Sequence, residues 1–176
     1  LMAFVPPPVA ATPVAAQKQE GKQETKQEAT PVIVPDGFKI EIFAKEPLVA
    51  DPVAIDMDSQ GRIFIAESER QERGVEDNRS SPFWLMEDLT AQTVEDRLAY
   101  YEKYKDKRKG GMDYYKAFAD RIRMVEDSNG DDIGDRVTNF SRDFRDPLDG
   151  TGAGILVDGN DIFYTCIPNL WRLRDA

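Results

Sequence analysis

The 176-residue chain contains no histidine and a single cysteine, Cys166. The first absence removes histidine general bases, histidine ligation of zinc or haem iron, and histidine-paired nucleophiles from anything these residues do by themselves. The second removes an internal disulfide and any cysteine-only metal or haem-attachment site, so no haem site is expected in this chain. Long hydrophobic runs are missing too: no stretch approaches about 18 consecutive apolar residues, and no transmembrane helix is expected. Chemistry must rest on carboxylates, Arg, Lys, Tyr, backbone groups, or a bound ion or cofactor.

What the chain does have is acid. There are 33 Asp and Glu against 23 Lys and Arg, a formal charge of −10. The three Lys and three Glu between residues 17 and 30 cancel and the first sixteen residues carry no charged side chain, so the whole excess falls on the remainder. An acidic body repels phosphate backbones and suits cations or neutral substrates, which makes nucleic acid a poor partner. Nine Phe, six Tyr and two Trp provide enough large apolar surface for a core.

Residues 1–16, LMAFVPPPVAATPVAA, place Val14 and Ala16 at the small-residue positions three and one before a cut ahead of Gln17. They read as the end of a secretory signal peptide, or else as an apolar Pro/Ala-rich leader. The first reading implies export to the periplasm or cell envelope. Residues 17–34 follow as a disordered linker in which Lys-Gln-Glu recurs at 18–20, 22–24 and 26–28. On a helix that four-residue period stacks like charges and brings no Lys within three or four residues of a Glu, so a solvated tether is expected.

From residue 35 the pattern changes to short apolar runs. Phe38, Ile40 and Ile42 alternate with Lys39 and Glu41 behind a Pro35-Asp36-Gly37 turn, which predicts a half-buried strand. VAIDMDSQGRIFIAE at 53–67 predicts a hairpin around Asp58-Ser59-Gln60-Gly61, and AGILVDGNDIFYT at 153–165 predicts another around Asp158-Gly159-Asn160. Aligned, Ile155 matches Ile55, Asp158 matches Asp58, and Phe163 matches Phe64 after one deletion in the turn. RIRMV at 121–125 and RVTNF at 136–140 add a strand pair. Repeated β units with Gly/Asp turns read as propeller blades. Residues 83–119 interrupt them as a helical insertion, with Val94, Leu98 and Tyr101 on one face, Thr93 as cap opposite Asp96, and Tyr114, Tyr115 and Phe118 on a following turn.

The sharpest local signal is EDSNGDDIGD at 126–135. Asp127, Asn129 and Asp131 have the one-three-five spacing that aims alternate oxygens at a common centre, Ile133 offers its carbonyl at the seventh position, and Asp135 falls at the ninth; hard oxygen donors of this kind suit calcium. The pattern departs from a complete calcium loop in having Asp132 rather than Gly at the sixth position and Thr138 rather than Glu at the twelfth. A polar hairpin turn is the competing reading, with Asn129-Gly130 supplying positive φ.

Other stretches invite chemistry less strongly. KYKDKRKGG at 103–111 reads as a solvated helix end rather than an anion patch. Gly150, Gly152 and Gly154 lack the third glycine and lysine of phosphate loops, and read as the close-packed start of a blade. Phe83, Trp84 and Trp171 read as packing residues rather than sugar platforms. Glu67 and Glu69 form a carboxylate pair available to acid/base work, though such pairs also arise by chance in an acidic chain.

Together these stretches, VPDGFKIEIFAKEPLVADPVAIDMDSQGRIFIAE, DNRSSPFWLMEDLTAQTVEDRLAYYEKY, DRIRMVEDSNGDDIGDRVTNF and DPLDGTGAGILVDGNDIFYTCIPNLWRLRDA, resemble over about residues 35–176 the N-terminal part of a bacterial family of exported propeller proteins. Its members are labelled membrane-bound dehydrogenases or haem-binding-domain proteins. The resemblance implies a β-propeller similar to soluble quinoprotein glucose and sorbosone dehydrogenases, with helical-repeat and cytochrome c-type regions downstream in longer members. It also implies acidic Asp-x-Asp-Gly-Asp-Gly loops, matched here at Asp127, Asn129, Gly130 and Asp131. None of that family's quinone-binding or proton-abstracting residues can be placed on this chain.

The expectation is therefore a mostly β chain forming a partial β-propeller, with a helical insertion and a disordered N-terminal segment. Residues 31–176, less the insertion, suffice for about two blades where a closed ring needs at least about four. The expected function is the N-terminal part of an exported, calcium-binding, sugar-dehydrogenase-like protein. Its parent would oxidise a small sugar with a quinone and pass electrons to a downstream haem domain. The alternative is a non-catalytic cell-envelope propeller that binds carbohydrate or protein partners.

Overall fold

The computed structural model describes residues 32–141 and 143–175. The leader at 1–16 and the Lys-Gln-Glu repeat lie outside the described residues. The chain divides into two compact units, one ending at Ile40 and one running from Glu41. In the first, the amide of Phe38 closes a turn on the carbonyl of Pro35 at 3.1 Å, with Gly37 at φ +88°. The strand predicted through Phe38, Ile40 and Ile42 does not form, and all three side chains are exposed. Alternation says which residues would share a face, but a strand exists only where a neighbour takes up its backbone hydrogen bonds, and among the described residues this segment joins no ladder.

The second unit is mostly β. Its first sheet is a four-stranded antiparallel meander of β1 (Pro52–Met57), β2 (Ile63–Glu67), β3 (Arg121–Glu126) and β4 (Arg136–Asn139). The second is a three-stranded meander of β5 (Gly152–Asp158), β6 (Asp161–Cys166) and β7 (Asn169–Arg174). The turns follow from their residues. Asp58 accepts the amide of Gly61 on its carbonyl at 3.2 Å, and Gly61 takes φ +80°, a conformation that costs glycine little. Asp158 and Asp161 pair directly across the two-residue Gly159-Asn160 turn.

Alternation decides what each strand buries. Ala54, Phe64, Ala66, Ile122 and Met124 share one face of the first sheet, and Ile155, Val157, Ile162 and Tyr164 share one face of the second. These faces meet in one core that includes Phe144, Cys166 and Trp171. First strand meets first strand there: the amide of Val157 on β5 donates to Asp56 Oδ2 on β1 at 2.6 Å.

Between β2 and β3 the chain forms helices α1 (Leu85–Thr90) and α2 (Val94–Lys103) and three 3₁₀ turns, Pro82–Trp84, Lys105–Lys107 and Gly111–Lys116. Thr93 and Asp96 make the reciprocal N-terminal cap that their spacing predicts. Of the face predicted through Val94, Leu98 and Tyr101, Tyr101 is buried and Val94 and Leu98 are half-buried, and α2 also buries Tyr100. These tyrosines pack with Trp84 and Tyr115 into a second core, where Tyr101 and Tyr115 stack at 4.4 Å. Phe83 and Trp84 are packing residues here, as is Trp171 in the first core.

One reading of the basic run at 103–111 needs correction. Arg108 is not at a solvated helix end. Its guanidinium lies over the rings of Phe83, Trp84 and Tyr114 at 5.3–5.6 Å, and its NH2 donates to Glu76 Oε2 at 2.8 Å and to Ser81. A planar cation can stack on aromatic faces while its edge pairs with a carboxylate, which a lysine cannot do equally well.

Candidate functional site

The acidic loop joins β3 to β4. Asp127 organises its first half: Oδ1 accepts the amides of Gly130 at 2.7 Å and Asn129 at 3.1 Å, and Oδ2 accepts the amide of Asp132 at 2.8 Å. Two residues on, the side chains of Asn129 and Asp131 interlock. The Asp131 amide donates to Asn129 Oδ1 at 2.9 Å, Asn129 Nδ2 donates to Asp131 Oδ2 at 3.2 Å, and the Ile133 amide donates to Asp131 Oδ1 at 3.0 Å. Gly130 takes φ +81° and Asp132 φ +68°. The sixth position thus adopts the left-handed conformation for which calcium loops use glycine, although an Asp occupies it.

The structure brings Asp127, Asn129 and Asp131 into one turn, with Ile133 next to them through its amide. It sets Asp135 apart: both carboxylate oxygens of Asp135 accept from Ser128, from the amide and from the hydroxyl at 2.9 Å each. Thr138, at the twelfth position, lies in β4 opposite Met124. Among the described residues no group of three or more Asp, Glu or Cys side chains is gathered as a ready-made metal cage. Partial desolvation pushes the Asp127 carboxyl up, but hydrogen bonds from the amides of Gly130, Asp132 and Asn129 outweigh it and hold the group below the usual carboxylate range.

Beside the loop is a cleft of about 490 Å³ lined by Phe43, Gln60, Gly61, Arg62, Glu126, Asp127 and Asp132. Its cation is committed: Arg62 pairs with Asp58 at 2.6 Å and with Asp175 at 2.8 Å. Gly134 closes the loop from behind, donating its amide to the carbonyl of Phe43 at 2.8 Å, and a Cβ there would lie 2.7 Å from Val125 Cγ1 and 3.0 Å from Phe43 Cε1. The loop is therefore pinned to the sheet at its β4 end while residues 128–133 stay exposed.

The carboxylate pair Glu67 and Glu69 is not arranged for acid/base work. Glu67 is fully buried; Oε1 accepts the Ala50 amide at 2.8 Å, and Oε2 lies 3.0 Å from Arg123 Nε and 3.3 Å from Arg121 Nε. Those two contacts are ionic, without hydrogen-bond alignment. Burial pushes its carboxyl above the usual range against the opposing pull of the Ala50 amide and the two arginines. Glu69 pairs with Arg121.

Sequence reasoning missed a second buried polar assembly. Arg70, with no exposed surface, sends NH1 to the Asp149 carbonyl at 2.8 Å and NH2 to the carbonyls of Tyr115 and Asp146 at 3.0 Å each. Asp120, equally buried, accepts the amides of Glu69 at 2.9 Å, Arg70 at 3.1 Å and Gly152 at 2.8 Å, and the hydroxyl of Ser68 at 3.1 Å. These two side chains tie the end of β2, the helical region, the β4–β5 connection and the start of β5 to one another. Four donors on one carboxylate and three acceptors on one guanidinium satisfy backbone groups that irregular connections would otherwise leave bare. No local pattern could have marked them, since their partners lie up to 79 residues away.

A family model described as a domain of unknown function, DUF7133, matches residues 24–176. No curated protein and no solved structure matches the chain.

Proposed function

The chain belongs to the DUF7133 domain family, and from that premise we propose that it forms consecutive blades of a β-propeller with a calcium-binding loop, in an exported, sugar-dehydrogenase-like protein. The observation that carries the propeller reading is the stacking of β1 on β5 through Asp56 and the Val157 amide. Each meander starts at the strand nearest the other sheet and steps outward, and the chain then returns from the edge strand β4 to begin the next sheet beside β1. Such a path supports the reading as blades around a common axis.

The calcium reading is supported by the left-handed Asp132 and its amide bond to Asp127, which shape the turn that side-chain oxygens of Asp127, Asn129 and Asp131 and the carbonyl of Ile133 need in order to converge. A carboxylate has about four lone-pair sites, so Asp127 keeps acceptor capacity beyond its three amide bonds. Asp135 would join only by leaving Ser128. The ion would stiffen the β3–β4 end of the first blade. The quinone, the sugar and the acceptor haem domain are carried by family resemblance alone, and catalytic residues are not assigned to this chain.

A second reading, a non-catalytic cell-envelope propeller that binds carbohydrate or protein partners, draws on the closure of Glu67 and Glu69 by arginines. Thermal unfolding with increasing calcium tests the loop. Saturating ion at about 100 times its dissociation constant stabilises by roughly 2.7 kcal/mol, and the double variant Asp127→Ala, Asp131→Ala should lose that gain. An unshifted melting temperature in the unsubstituted chain removes calcium from the account.

A further inference from the structure

The loop between β3 and β4 holds a reactive dipeptide. Asn129 is followed by Gly130, whereas Asn78, Asn139, Asn160 and Asn169 precede Arg79, Phe140, Asp161 and Leu170. When the backbone nitrogen of the following residue attacks an asparagine side-chain carbonyl, a succinimide ring closes, and a side chain on that following residue stands in the way. Glycine has none. Asn129 and Gly130 are both exposed, Gly130 takes φ +81°, and a Cβ built there would meet no atom within 4 Å, so the ring has room to form. Asn78 is the contrast: its Oδ1 accepts Trp84 Nε1 at 2.9 Å and its Nδ2 donates to Asp88 Oδ2 at 2.6 Å, which fixes the side chain. Asn139 and Asn169 lie in β4 and β7, where the ladders hold the backbone extended.

Hydrogen bonds of the loop act on the two reacting atoms in opposite senses. The Asp131 amide donates to Asn129 Oδ1 at 2.9 Å, which polarises the carbonyl and supplies a donor for the oxyanion that attack would create. The Gly130 amide donates to Asp127 Oδ1 at 2.7 Å, which keeps the proton on the nucleophile and sets a carboxylate beside a nitrogen that must give that proton up. The carbonyl is primed and the nitrogen is restrained.

We propose that Asn129–Gly130 is a self-modifying site, at which the Gly130 nitrogen displaces the side-chain nitrogen of Asn129 as ammonia, and that the hydrogen bond from Gly130 to Asp127 sets the rate. The bond from Gly130 N to Asn129 Cγ forms and the Cγ–Nδ2 bond breaks; the Gly130 proton passes to solvent, and a proton from solvent completes the ammonia. Water then opens the ring. Cleavage between the nitrogen and Cγ leaves Asp at 129, and cleavage between the nitrogen and the main-chain carbonyl carbon leaves isoaspartate, with the chain running through the former side chain. Overall one water is consumed and one ammonia released, with no oxidation or reduction. Either product adds a negative charge to the loop. The Asp product also adds a carboxylate to the proposed calcium donors, whose charge tunes affinity, and this consequence alone rests on the calcium reading.

Peptide mapping by mass spectrometry tests it, on the full chain sampled over time at neutral pH with a chelator present. Conversion should appear at Asn129 ahead of any other asparagine, and faster in guanidinium chloride, where Asp127 no longer holds Gly130. A hydrogen bond to a charged group must be given up before attack, so Asp127→Ala should speed conversion in the folded chain by about tenfold or more. Asp127→Asn keeps an acceptor without the charge and should fall between the two. Circular dichroism checks that the variants fold; if Asp127→Ala does not, Asp127→Asn and the comparison with the unfolded chain decide. An Asp127→Ala chain that converts no faster than the unsubstituted one overturns the proposal, as does an Asn129 that survives as long as Asn160 or converts faster folded than unfolded. No calcium-dependent shift in melting temperature would remove the ion without touching this chemistry, and an unconverted Asn129 would remove the chemistry without touching the ion.

Discussion

Replacing Arg70 by alanine removes a fully buried guanidinium that serves three carbonyls from two separate segments, that of Tyr115 in the helical region and those of Asp146 and Asp149 in the β4–β5 connection. A buried acceptor left without a donor costs roughly 1–3 kcal/mol, and breaking a buried charge arrangement by deleting one side costs about 3–5 kcal/mol. The first applies to the three carbonyls, and the second to the buried Asp120 charge that attracts the guanidinium. Water entering the vacated space recovers part of the loss, so the expected destabilisation is about 3–5 kcal/mol. Against a typical domain stability of about 5–15 kcal/mol, that removes a large share of the total. With a urea m-value near 2 kcal/mol/M, the unfolding midpoint should fall by about 2 M. Arg70→Lys keeps the charge but reaches fewer of the three acceptors, and should fall between alanine and the unsubstituted chain. A midpoint shift for Arg70→Ala worth less than about 1 kcal/mol would refute the claim that this side chain joins the connections between the two sheets.

Further outcomes follow from the same structure. A Cβ at Gly152 would overlap Tyr164 Oη and lie 2.7 Å from Cζ, so Gly152→Ala should cost about 1–3 kcal/mol in chemical denaturation. Tyr164→Phe should be near neutral, because the buried hydroxyl has no hydrogen-bond partner among the described residues, and should recover part of the Gly152→Ala loss in the double variant. Burial, helped by a hydrogen bond to Glu76, raises the Tyr114 phenol to about 12. A phenol raised on folding contributes stability that is complete below its unfolded value and is lost as pH climbs through its folded value, so stability should decline between about pH 10 and 12. Glu76→Gln should move that loss to lower pH, read by the absorbance of tyrosinate. The Asp127 carboxyl is lowered on folding, so its contribution is present above the ordinary Asp value and lost as pH falls through the folded one. Amide shifts of Gly130 and Asp132 should report that titration, and calcium affinity should weaken over the same interval.

The hairpins were legible because two local signals agree in them: period-two alternation of β-branched residues and Asp/Gly turns at Asp58–Gly61 and Asp158–Gly159. The glycines at 150–154 were legible as close packing, and a Cβ at Gly152 or Gly150 would indeed strike Tyr164 or Ile167. Where a single signal stood alone it failed. Phe38, Ile40 and Ile42 alternate as well as any strand, yet among the described residues no neighbouring strand takes up their backbone. The run at 103–111 put Arg108 at a solvated helix end and nothing local marked Arg70 or Asp120, because the partners of all three are supplied by distant segments. In the acidic loop, Asp127, Asn129 and Asp131 lie in one turn, but their spacing could not show that Ser128 engages Asp135. Competing hydrogen bonds within a short loop are decided by backbone dihedrals, which composition does not encode.

The propeller and calcium readings meet in one measurement, a crystal structure of the chain grown with calcium. The account predicts β1 beside β5 and an ion held by six to eight oxygens at about 2.3–2.6 Å, among them those of Asp127, Asn129, Asp131 and the Ile133 carbonyl. A loop closed only by its own amide hydrogen bonds at saturating calcium, or sheets that do not stack first strand on first strand, would contradict it.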